Sequence, residues 1–435
     1  MLPVRDYQIF QRENGCAKVL FAGEIEEVFA TCKKVTARVV CEDDGFVVLD
    51  MVEGRKEGTR FEVELTLPEG GLYRLEAIAH DAVVDGVIWT GCTACVHHVG
   101  VGEVFMLAGQ SNMAGYGRGV IYDPPELGVH LYANDGNWKI AAHPLNSACN
   151  TIYPENREVA SQNSPALAFA RTARRLLNVP IGLVQASLGG SPLKRWHPEE
   201  EGDLYRAMIR RLDAVGKVGA ILWYQGCSDA EGVAAPRYFE RFARAVELWR
   251  EVMGPVPVIT VQLNRVVSRG LADCDRWWGM IREAQRRAAK EIKDVYIVPA
   301  IDLPLSDGIH NTAYANVNLG ERMAYVYLRG LAVPDLRRVQ RVDDTHVFLE
   351  FDRAYSFELT NWDQMPIGFD IEDAEGIEPC RRAEPKDGGL VLEAGRAIGK
   401  DAKLHAFWQQ LPEANPALVR GGMPMLSVYG VPVEE

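Results

Sequence analysis

The sequence predicts an α/β protein in which a three-layer α/β/α core with a mostly parallel sheet lies between two β-rich, sandwich-like regions. Three observations lead to this prediction. Apolar and polar residues alternate up to about residue 100, strand-like and helix-like segments alternate over residues 102–333, and β patterns return after residue 334. Parallel strands need a crossover connection, and a helix usually provides it. We therefore predict domains at residues 1–100, 101–333 and 334–435.

The first region consists of strand-like segments separated by short turns. The segments are KVTARVVCED, DGFVVLDMV, TRFEVELTLPEGG and LYRLEAIAH. Alternation with a period of two places apolar side chains on one face of a strand, while Gly, Pro and Asp favour the turns. No long segment of helical period interrupts them, so we expect an all-β domain, a sandwich.

The central region alternates strands with helices. The first long helix is predicted from Ser164, a favoured N-cap residue, and Pro165, which suits the first helical position. Ligands bind to such sheets at the carboxyl ends of the strands. The predicted strands are GEVFMLAG, VPIGLVQAS, KVGAILWYQG, PVPVITVQLN and DVYIVPAI, and the predicted helices are SPALAFARTARRLL, PRYFERFARAVELWREVMG, DRWWGMIREAQRRAAKEI and TAYANVNLGERMAYVYLRGL.

The third region is again rich in β patterns. THVFLEFD, FDIED, GGLVLEAG and KLHAFWQQ are strand-like and are joined by turns rich in Gly, Pro and Asp. These signals predict a second β-rich, sandwich-like region.

The composition limits the partners and compartments that we expect. Of the 435 residues, 47 are Lys or Arg and 60 are Asp or Glu, which gives a formal net charge of −13. Nucleic-acid affinity depends on clustered Lys and Arg, and the chain has no basic stripe, so we expect no nucleic-acid partner. No segment approaches the roughly 18 apolar residues of a membrane span. The first residues lack the apolar centre of a secretory signal, so we expect no membrane partner and a cytoplasmic location.

The nine cysteines are scattered along the chain, which is typical of reduced thiols. Cys92 and Cys95 form a CxxC motif that is followed by His97 and His98, a combination that also occurs in zinc sites. The surrounding segment WTGCTACVHHVGVGEVF alternates like a strand, and no second ligand pair has the spacing of a zinc finger. We therefore predict no metal and no cofactor, with zinc at the CxxC motif as the alternative.

Short polar segments follow four of the central strands, and they contain the residue types that acyl transfer requires. They are residues 110–113 (QSNM), 188–191 (LGGS), 225–229 (QGCSD) and 307–310 (DGIH). A serine hydroxyl becomes nucleophilic when a histidine removes its proton, and a carboxylate fixes the tautomer of that histidine. Backbone N–H groups at a glycine turn can approach a developing oxyanion closely.

These segments resemble a known family. GQSNM, QASLGGS, WYQGCSD and DGIH, in this order, are similar to the blocks of SGNH-type hydrolases, and most similar to the branch of sialate O-acetylesterases and acetylxylan esterases. The resemblance covers the central region and extends to the lead-in VGVGEVFMLAGQSNM and to IGFDIEDAEG in the third region. It implies the flavodoxin-like SGNH fold for the core.

The resemblance also implies roles for individual residues. Ser111 would be the nucleophile, His310 the general base and Asp307 the carboxylate that orients it. The backbone N–H groups of Ser111 and Gly190 would donate to the oxyanion.

The third block departs from the pattern of the family. Many relatives have QGES followed by Asn or Asp, whereas this chain has Cys227 and Asp229. Because an ionised carboxylate cannot donate a hydrogen bond, we predict the side-chain amide of Gln225 as the third oxyanion donor. Cys227 cannot replace a glutamate that supports the histidine, which places that role on Asp307. No second histidine is available to make Cys227 a nucleophile.

Four further residues are predicted to contact the substrate. They are Gln110, Asn112, Trp196 and Asp229. Trp196 follows Lys194 and Arg195, and such a tryptophan suits stacking on a sugar ring, although a core position remains the alternative. For Asp229 the alternative is a structural role.

We therefore expect an esterase that removes acetyl groups from acetylated sugars, such as sialic acid or hemicellulose-derived oligosaccharides, by a Ser-His-Asp acyl-enzyme mechanism. The alternatives are a short-chain acyl esterase that acts on non-sugar substrates and a catalytically impaired glycan-binding protein. The sugar, the acetylated hydroxyl and the oligomeric state stay open, with a homodimer among the possible states.

Overall fold

A computed structural model describes residues 3–157, 162–267, 273–358, 367–412, 418–419 and 422–435. Within these residues the chain forms 23 strands and six α-helices. The strands are β1 Ile9–Gln11, β2 Cys16–Glu24, β3 Lys34–Cys41, β4 Val47–Glu53, β5 Arg55–Glu57, β6 Arg60–Pro68, β7 Gly70–Val84, β8 Val87–Gly109, β9 Val129–Tyr132, β10 Trp138–Ile140, β11 Ile181–Gln185, β12 Ala220–Tyr224, β13 Val258–Gln262, β14 Val295–Pro299, β15 Leu336–Arg341, β16 His346–Phe351, β17 Phe357–Glu358, β18 Phe369–Asp373, β19 Gly376–Lys386, β20 Gly389–Ala394, β21 Lys403–Ala406, β22 Leu418–Val419 and β23 Val428–Glu434. The helices are α1 Ser111–Ala114, α2 Pro165–Leu177, α3 Asp203–Val215, α4 Tyr238–Met253, α5 Cys274–Glu291 and α6 Ala313–Arg329.

The central sheet has the strand order β10-β9-β11-β8-β12-β13-β14. Every neighbouring pair in it is parallel except β10 and β9. All side chains of β11, β12 and β13 are buried, as expected for a sheet that is covered on both faces. Side chains of α2, α4, α5 and α6 complete the same apolar core. The predicted α/β class is therefore confirmed.

Helix caps follow from the local sequence and help to place the site. Ser164 caps α2 by accepting a hydrogen bond from the N–H of Ala166, and Pro165 occupies the first helical position. Thr312 caps α6 in the same manner, accepting from the N–H of Ala315 at 3.0 Å. Because a cap fixes the direction in which the chain enters a helix, Thr312 anchors the segment that immediately precedes it.

The N-terminal region is a sandwich of two antiparallel layers. One layer is the sheet β2-β6-β5, and the other contains β4, β3, β7 and the first half of β8. The residues of β6 alternate strictly between exposed and buried, and the buried ones meet those of β3 and β7 in one apolar core. The alternation in the sequence thus corresponds to the inner and outer faces of the sandwich.

Strand β8 belongs to both the sandwich and the central sheet. It runs without interruption from Val87 to Gly109, pairing first with β7 and then with β11 and β12. The predicted domain boundary between residues 100 and 101 lies inside this strand. The two regions are therefore joined by a shared strand, with no linker between them.

The C-terminal region closes into a barrel with the strand order β15-β16-β20-β19-β18-β21-β23. Closure comes from the parallel pairing of β15 with β23, where Val339 lies opposite Val433. The predicted β-rich C-terminal region is confirmed, and its strands form a closed barrel. The barrel is attached to the core near β13, because Gln262 and Ser427 exchange side-chain and backbone hydrogen bonds of 2.8 and 2.9 Å. Among the described residues, no helix is long and apolar enough to cross a membrane.

Candidate active site

Ser111 lies where β8 ends against its neighbour β12. Gly109, the last residue of β8, has a φ of 122°, and a Cβ at this position would lie 2.4 Å from the carbonyl oxygen of Tyr224. Only glycine fits such a conformation at such a distance. Ser111 then begins the single turn α1, which ends at Gly115 with a φ of 108°. The sharp change of direction presents the serine at the carboxyl edge of the sheet.

His310 connects Ser111 with Asp307 through two hydrogen bonds. Its Nε2 lies 2.9 Å from Oγ of Ser111, and its Nδ1 lies 2.8 Å from Oδ2 of Asp307. The other carboxylate oxygen of Asp307 accepts the backbone N–H groups of Ile309 and His310 at 2.9 and 2.8 Å. With Nδ1 donating to the carboxylate, Nε2 is the acceptor that faces the serine. The structure thus brings together three residues that are up to 199 positions apart in the chain.

The carboxyl group of Asp307 is held in its ionised form. Partial burial by itself would raise its pKa, but hydrogen bonds from the His310 side chain and from the backbone N–H groups of His310 and Ile309 outweigh burial and lower the pKa to about 2. An anion at this position orients the imidazole and stabilises its protonated form.

An asparagine network, defined as Asn112, Asn264, Asn311 and Asn316, supports the segment that carries the histidine. All four side chains are fully buried. Asn112 accepts the backbone N–H of Asn311 at 3.0 Å, and the side-chain amides of Asn112 and Asn264 donate to the carbonyl of Ile309 at 3.3 and 2.9 Å. Asn311 in turn donates to Asn316. The backbone is therefore held on both sides of the histidine.

This geometry corrects the predicted role of Asn112. A side chain with no exposed surface cannot touch a substrate, and both polar atoms of Asn112 are engaged within the protein. Its role is to position the histidine segment.

The loop after β11 lies beside the serine. The N–H of Leu188 donates to the carbonyl of Gly109 at 3.0 Å, which aligns this loop with the end of β8. Gly190 is exposed and has a φ of 64°, a conformation that glycine adopts without strain. The predicted oxyanion donation by the Gly190 N–H stays a prediction.

Gln225 is not the third oxyanion donor that the sequence predicts. Both hydrogens of its side-chain amide are used, one by the carbonyl of Ser191 at 3.1 Å and the other by the Asp229 carboxylate at 2.6 Å. Its oxygen accepts the hydroxyl of Tyr238 at 2.8 Å, and the side chain is fully buried. The amide has no donor left for a substrate, so this prediction is wrong.

Asp229 has the structural role that was the alternative to substrate contact. It is 2% exposed, and its Oδ2 accepts the backbone N–H of Leu193 at 2.8 Å, while Arg241 donates to Oδ1 at 3.3 Å. Burial raises the pKa of the Asp229 carboxyl, and these hydrogen bonds offset part of the increase. The predicted contact with substrate is wrong, because the carboxylate instead joins the loops that follow β11 and β12.

Trp196 is a core residue, which excludes the predicted stacking on a sugar. Its side chain is fully buried, and its ring packs edge-to-face on Trp223 at a centroid distance of 5.5 Å. Its indole N–H donates to Oγ of Ser191 at 3.1 Å. Trp249 of α4 donates to the Trp196 carbonyl at 2.9 Å, so this helix packs against the segment that carries Trp196.

Gln110 connects the segment after β8 with the segment after β12. Its side-chain oxygen accepts the backbone N–H groups of Gly226 and Ser228 at 3.2 and 3.3 Å. The predicted contact of Gln110 with substrate stays a prediction. Cys227 between these two donors is buried, 4% exposed.

Two residues of the site were missed by the sequence analysis. The Tyr116 ring packs against the His310 ring in a tilted arrangement, with a centroid distance of 5.0 Å and an interplanar angle of 31°, and Arg118 lies 4.0 Å from the Asp307 carboxylate. Gly115 was the available signal, because a helix-ending glycine after a one-turn helix reverses the chain over the serine. The Tyr116 N–H then donates to the Ser111 carbonyl at 3.2 Å.

We expect Tyr116→Leu to reduce kcat/KM about two- to fivefold. An aromatic face beside a cation contributes roughly 0.5 to 1 kcal/mol, and the leucine removes this stabilisation of the protonated His310 while retaining apolar bulk. Tyr116→Phe keeps the ring and should retain most of the activity. Steady-state hydrolysis of p-nitrophenyl acetate by both variants measures the difference. Equal values for Leu and Phe would show that the ring face is unimportant.

Among the described residues, no group of three or more His, Cys, Asp or Glu side chains could hold a metal ion.

Three comparisons relate the chain to known proteins. Residues 101–329 match the model of a family described as SASA, carbohydrate esterase, sialic acid-specific acetylesterase. Over 251 residues the chain is 32% identical to the "Probable carbohydrate esterase At4g34215" of Arabidopsis thaliana, which covers 52% of this chain and 90% of that protein. The crystal structure of XAC1771, described as a novel carbohydrate acetylesterase from Xanthomonas citri, aligns with a TM-score of 0.67 and 20% identity over 98% of both chains. This last match shows a shared fold.

Proposed function

Because the chain belongs to the carbohydrate esterase family of sialic acid-specific acetylesterases, we propose that it removes O-acetyl groups from sugars by a Ser-His-Asp acyl-enzyme mechanism. The observation that carries this proposal is the unbroken series of hydrogen bonds from Ser111 through His310 to Asp307. The substrate in this proposal is an acetylated monosaccharide or short oligosaccharide, such as acetylated sialic acid or a hemicellulose fragment.

The first step is attack by Ser111 on the acetyl carbonyl carbon. His310 Nε2, 2.9 Å from Oγ, accepts the serine proton as the new C–O bond forms. The ionised Asp307 then faces a protonated imidazole at 2.8 Å, which stabilises the charge that develops on the ring. The carbonyl oxygen carries the negative charge of the tetrahedral intermediate.

Two backbone donors are proposed for that oxyanion, the N–H groups of Ser111 and Gly190. Ser111 is the first residue of α1, and the first N–H groups of a helix have no acceptor within it. Gly190 is exposed on the adjacent loop. Removing one such donor typically costs about 2.7 to 4 kcal/mol of transition-state stabilisation.

Collapse of the intermediate releases the sugar. His310 donates its proton to the departing sugar oxygen, and the acetyl group remains on Ser111. A water molecule then attacks the acetyl-enzyme, His310 accepts a proton from it, and acetate leaves as the Ser111 hydroxyl is restored. The sum of these steps is hydrolysis of one ester bond by one water.

Acetate release across a panel of substrates tests the proposal. The panel contains acetylated sialic acid, acetylated xylo- and manno-oligosaccharides, and simple alkyl acetates. We expect kcat/KM to be at least about tenfold higher on one acetylated sugar than on the alkyl acetates, because a site that hydrogen-bonds substrate hydroxyls rejects analogues without them. Preference for alkyl acetates would instead assign a short-chain esterase. Absence of both acetate release and labelling of Ser111 by a fluorophosphonate would assign a catalytically impaired glycan-binding protein.

We expect Asp307→Asn to lower kcat by about 10⁴-fold, because an amide no longer selects the tautomer in which Nε2 accepts the serine proton. In the wild type the pKa of Asp307 is about 2, so the carboxylate persists at all pH values above about 4. Protonation of Asp307 therefore contributes no acidic limb to the kcat/KM profile above about pH 4. An Asn variant with undiminished kcat in steady-state acetate release would contradict the role of Asp307.

The same pKa sets the sign of a stability effect. The pKa of Asp307 is lower in the folded protein than the value of about 3.9 for an unfolded chain. Its ionisation thus favours the folded state above pH 4, and this contribution is lost as the pH falls towards about 2.

A further inference from the structure

The CxxC motif, Cys92 and Cys95, has no part in the proposed function, and the two histidines that follow it contact Glu42. Nδ1 of His97 lies 3.2 Å from Oε1 of Glu42, and Nδ1 of His98 lies 2.6 Å from Oε2 of the same residue. Neither histidine contacts a cysteine in any of these bonds, and the described residues contain no cluster of three potential metal ligands. The two cysteines and two histidines that suggested zinc therefore do not form one cluster in the described part of the chain.

A β-bulge brings the two thiols to one face of the sheet. Cys92 lies opposite Ile78 and Cys95 lies opposite Glu76, although the cysteines are three positions apart in the chain and their partners are only two positions apart. The register shift within this stretch accommodates one extra residue in β8. Both cysteines are exposed, whereas Thr93 between them is 7% exposed and faces inward.

Thr93 holds the bulge in place. Its hydroxyl oxygen accepts the backbone N–H of Glu26 at 2.9 Å, which connects β8 to the segment that crosses the sandwich edge. An unbulged strand would place residues 92 and 95 on opposite faces. The anchored bulge is therefore what makes the two cysteines neighbours.

The spacing is close enough for a covalent link between the two cysteines. The partner residues on β7 are two positions apart, a rise of about 6.6 Å, and the bulged strand covers that rise between the cysteines. Disulfides join Cα atoms that lie roughly 4.4 to 6.8 Å apart. A link within this range forms with little movement of the backbone.

The surroundings of Cys95 lower the reactivity of its thiol at neutral pH. Partial burial, the adjacent Cys92 thiol and the Glu76 carboxylate raise the pKa of Cys95 to about 11. Cys95 therefore keeps its proton at neutral pH and is a poor attacking group there, because the thiolate is the nucleophile in thiol–disulfide exchange.

We propose that Cys92 and Cys95 form a surface dithiol that is oxidised reversibly to an intrachain disulfide. With a small disulfide such as oxidised glutathione as the oxidant, the Cys92 sulfur displaces one glutathione thiol and forms a mixed disulfide. The Cys95 sulfur then displaces the second glutathione thiol. The protein loses two hydrogens and two electrons, and the oxidant gains them as two thiols.

The test is oxidation of the full-length protein with oxidised glutathione, followed by alkylation with N-ethylmaleimide and peptide mapping without reduction. We expect a link between Cys92 and Cys95, a protein mass about 2 Da lower, and complete reversal by dithiothreitol. Cys95→Ser should trap a glutathione adduct on Cys92. Cys149→Ser is the matched control, because Cys149 is exposed but outside the motif, and this variant should form the link as the wild type does.

Three results would overturn the proposal. They are free, alkylated Cys92 and Cys95 after oxidation of a folded wild type, separate glutathione adducts on both residues, and a disulfide that joins two chains. Circular dichroism of each variant shows that it is folded, so a negative result cannot come from misfolding.

Discussion

Ser111→Ala is expected to lower kcat for acetyl ester hydrolysis by about 10⁴- to 10⁶-fold. The nucleophile of a serine hydrolase acts as a unit with its base, so removal of the hydroxyl abolishes the covalent route as completely as removal of the whole set. In this chain Oγ of Ser111 has a base at 2.9 Å, and alanine leaves His310 without a proton to accept. Backbone donors and substrate binding would account for the remaining activity.

Two measurements check this prediction. The first is steady-state release of acetate, and the second is the intact mass after treatment with a fluorophosphonate, which should label the wild type once and leave the alanine variant unlabelled. Ser228→Ala is the matched control, since Ser228 interacts with the site through its backbone N–H, 3.3 Å from Gln110, and alanine retains that group. Hydrolysis by pure Ser111→Ala at the wild-type rate would assign the nucleophile elsewhere.

Arg282→Met is expected to lower the free energy of unfolding by about 3 to 5 kcal/mol. Arg282 on α5 is fully buried, and burial lowers its pKa to about 9. It donates to four backbone carbonyls, those of Leu263, Asn264, Phe407 and Gln409, at 2.7 to 2.9 Å. An unsatisfied buried carbonyl costs roughly 1 to 3 kcal/mol. Asn264 and Phe407 retain other donors, so the carbonyls of Leu263 and Gln409 account for most of the loss.

Urea unfolding followed by tryptophan fluorescence measures this effect. Arg287→Met is the matched control on the same helix, because Arg287 pairs with Glu291 at the surface and lies over the Phe239 ring. Exposed contacts of these kinds each contribute about 0.3 to 1 kcal/mol. A loss for Arg282→Met that is no larger than the loss for Arg287→Met would show that the four carbonyls find other donors.

The fold class could be predicted because it rests on local periodicity. Strands such as β6 alternate strictly, and α2 carries its N-cap in the sequence as well as in the structure. Closure of the barrel could not be predicted, because it depends on β15 pairing with β23 from nearly a hundred residues further along the chain. The sequence also could not show that the domain boundary lies inside β8. The strand changes its pairing partners along its length, and this change does not alter the pattern of apolar and polar residues in the strand itself.

Part of the candidate site could likewise be predicted from the sequence, and part could not. Ser111, Asp307 and His310 each follow a strand at the same edge of the sheet, so topology alone predicts that they meet. The orientation of the residues around these three does not follow from topology. Whether Gln225 faces a substrate or Asp229 depends on Tyr238 of α4, and the burial of Trp196 depends on Trp249 of the same helix. Their residue types suggested an oxyanion donor, a substrate contact and a ring that stacks on a sugar. Packing against α4 instead directs these side chains into the protein.

The long strand β8 also limits how this protein can be divided or recombined. Its first half pairs with β7, residues 100–102 pair with β1, and its last residue lies two positions before the serine. A truncation at residue 101 would cut this ladder and leave the central strand without its continuation. Exchange of the N-terminal region between relatives must therefore retain β8 whole, together with β1 and β7, so the modules that can be inherited separately differ from the regions that the sequence pattern delimits.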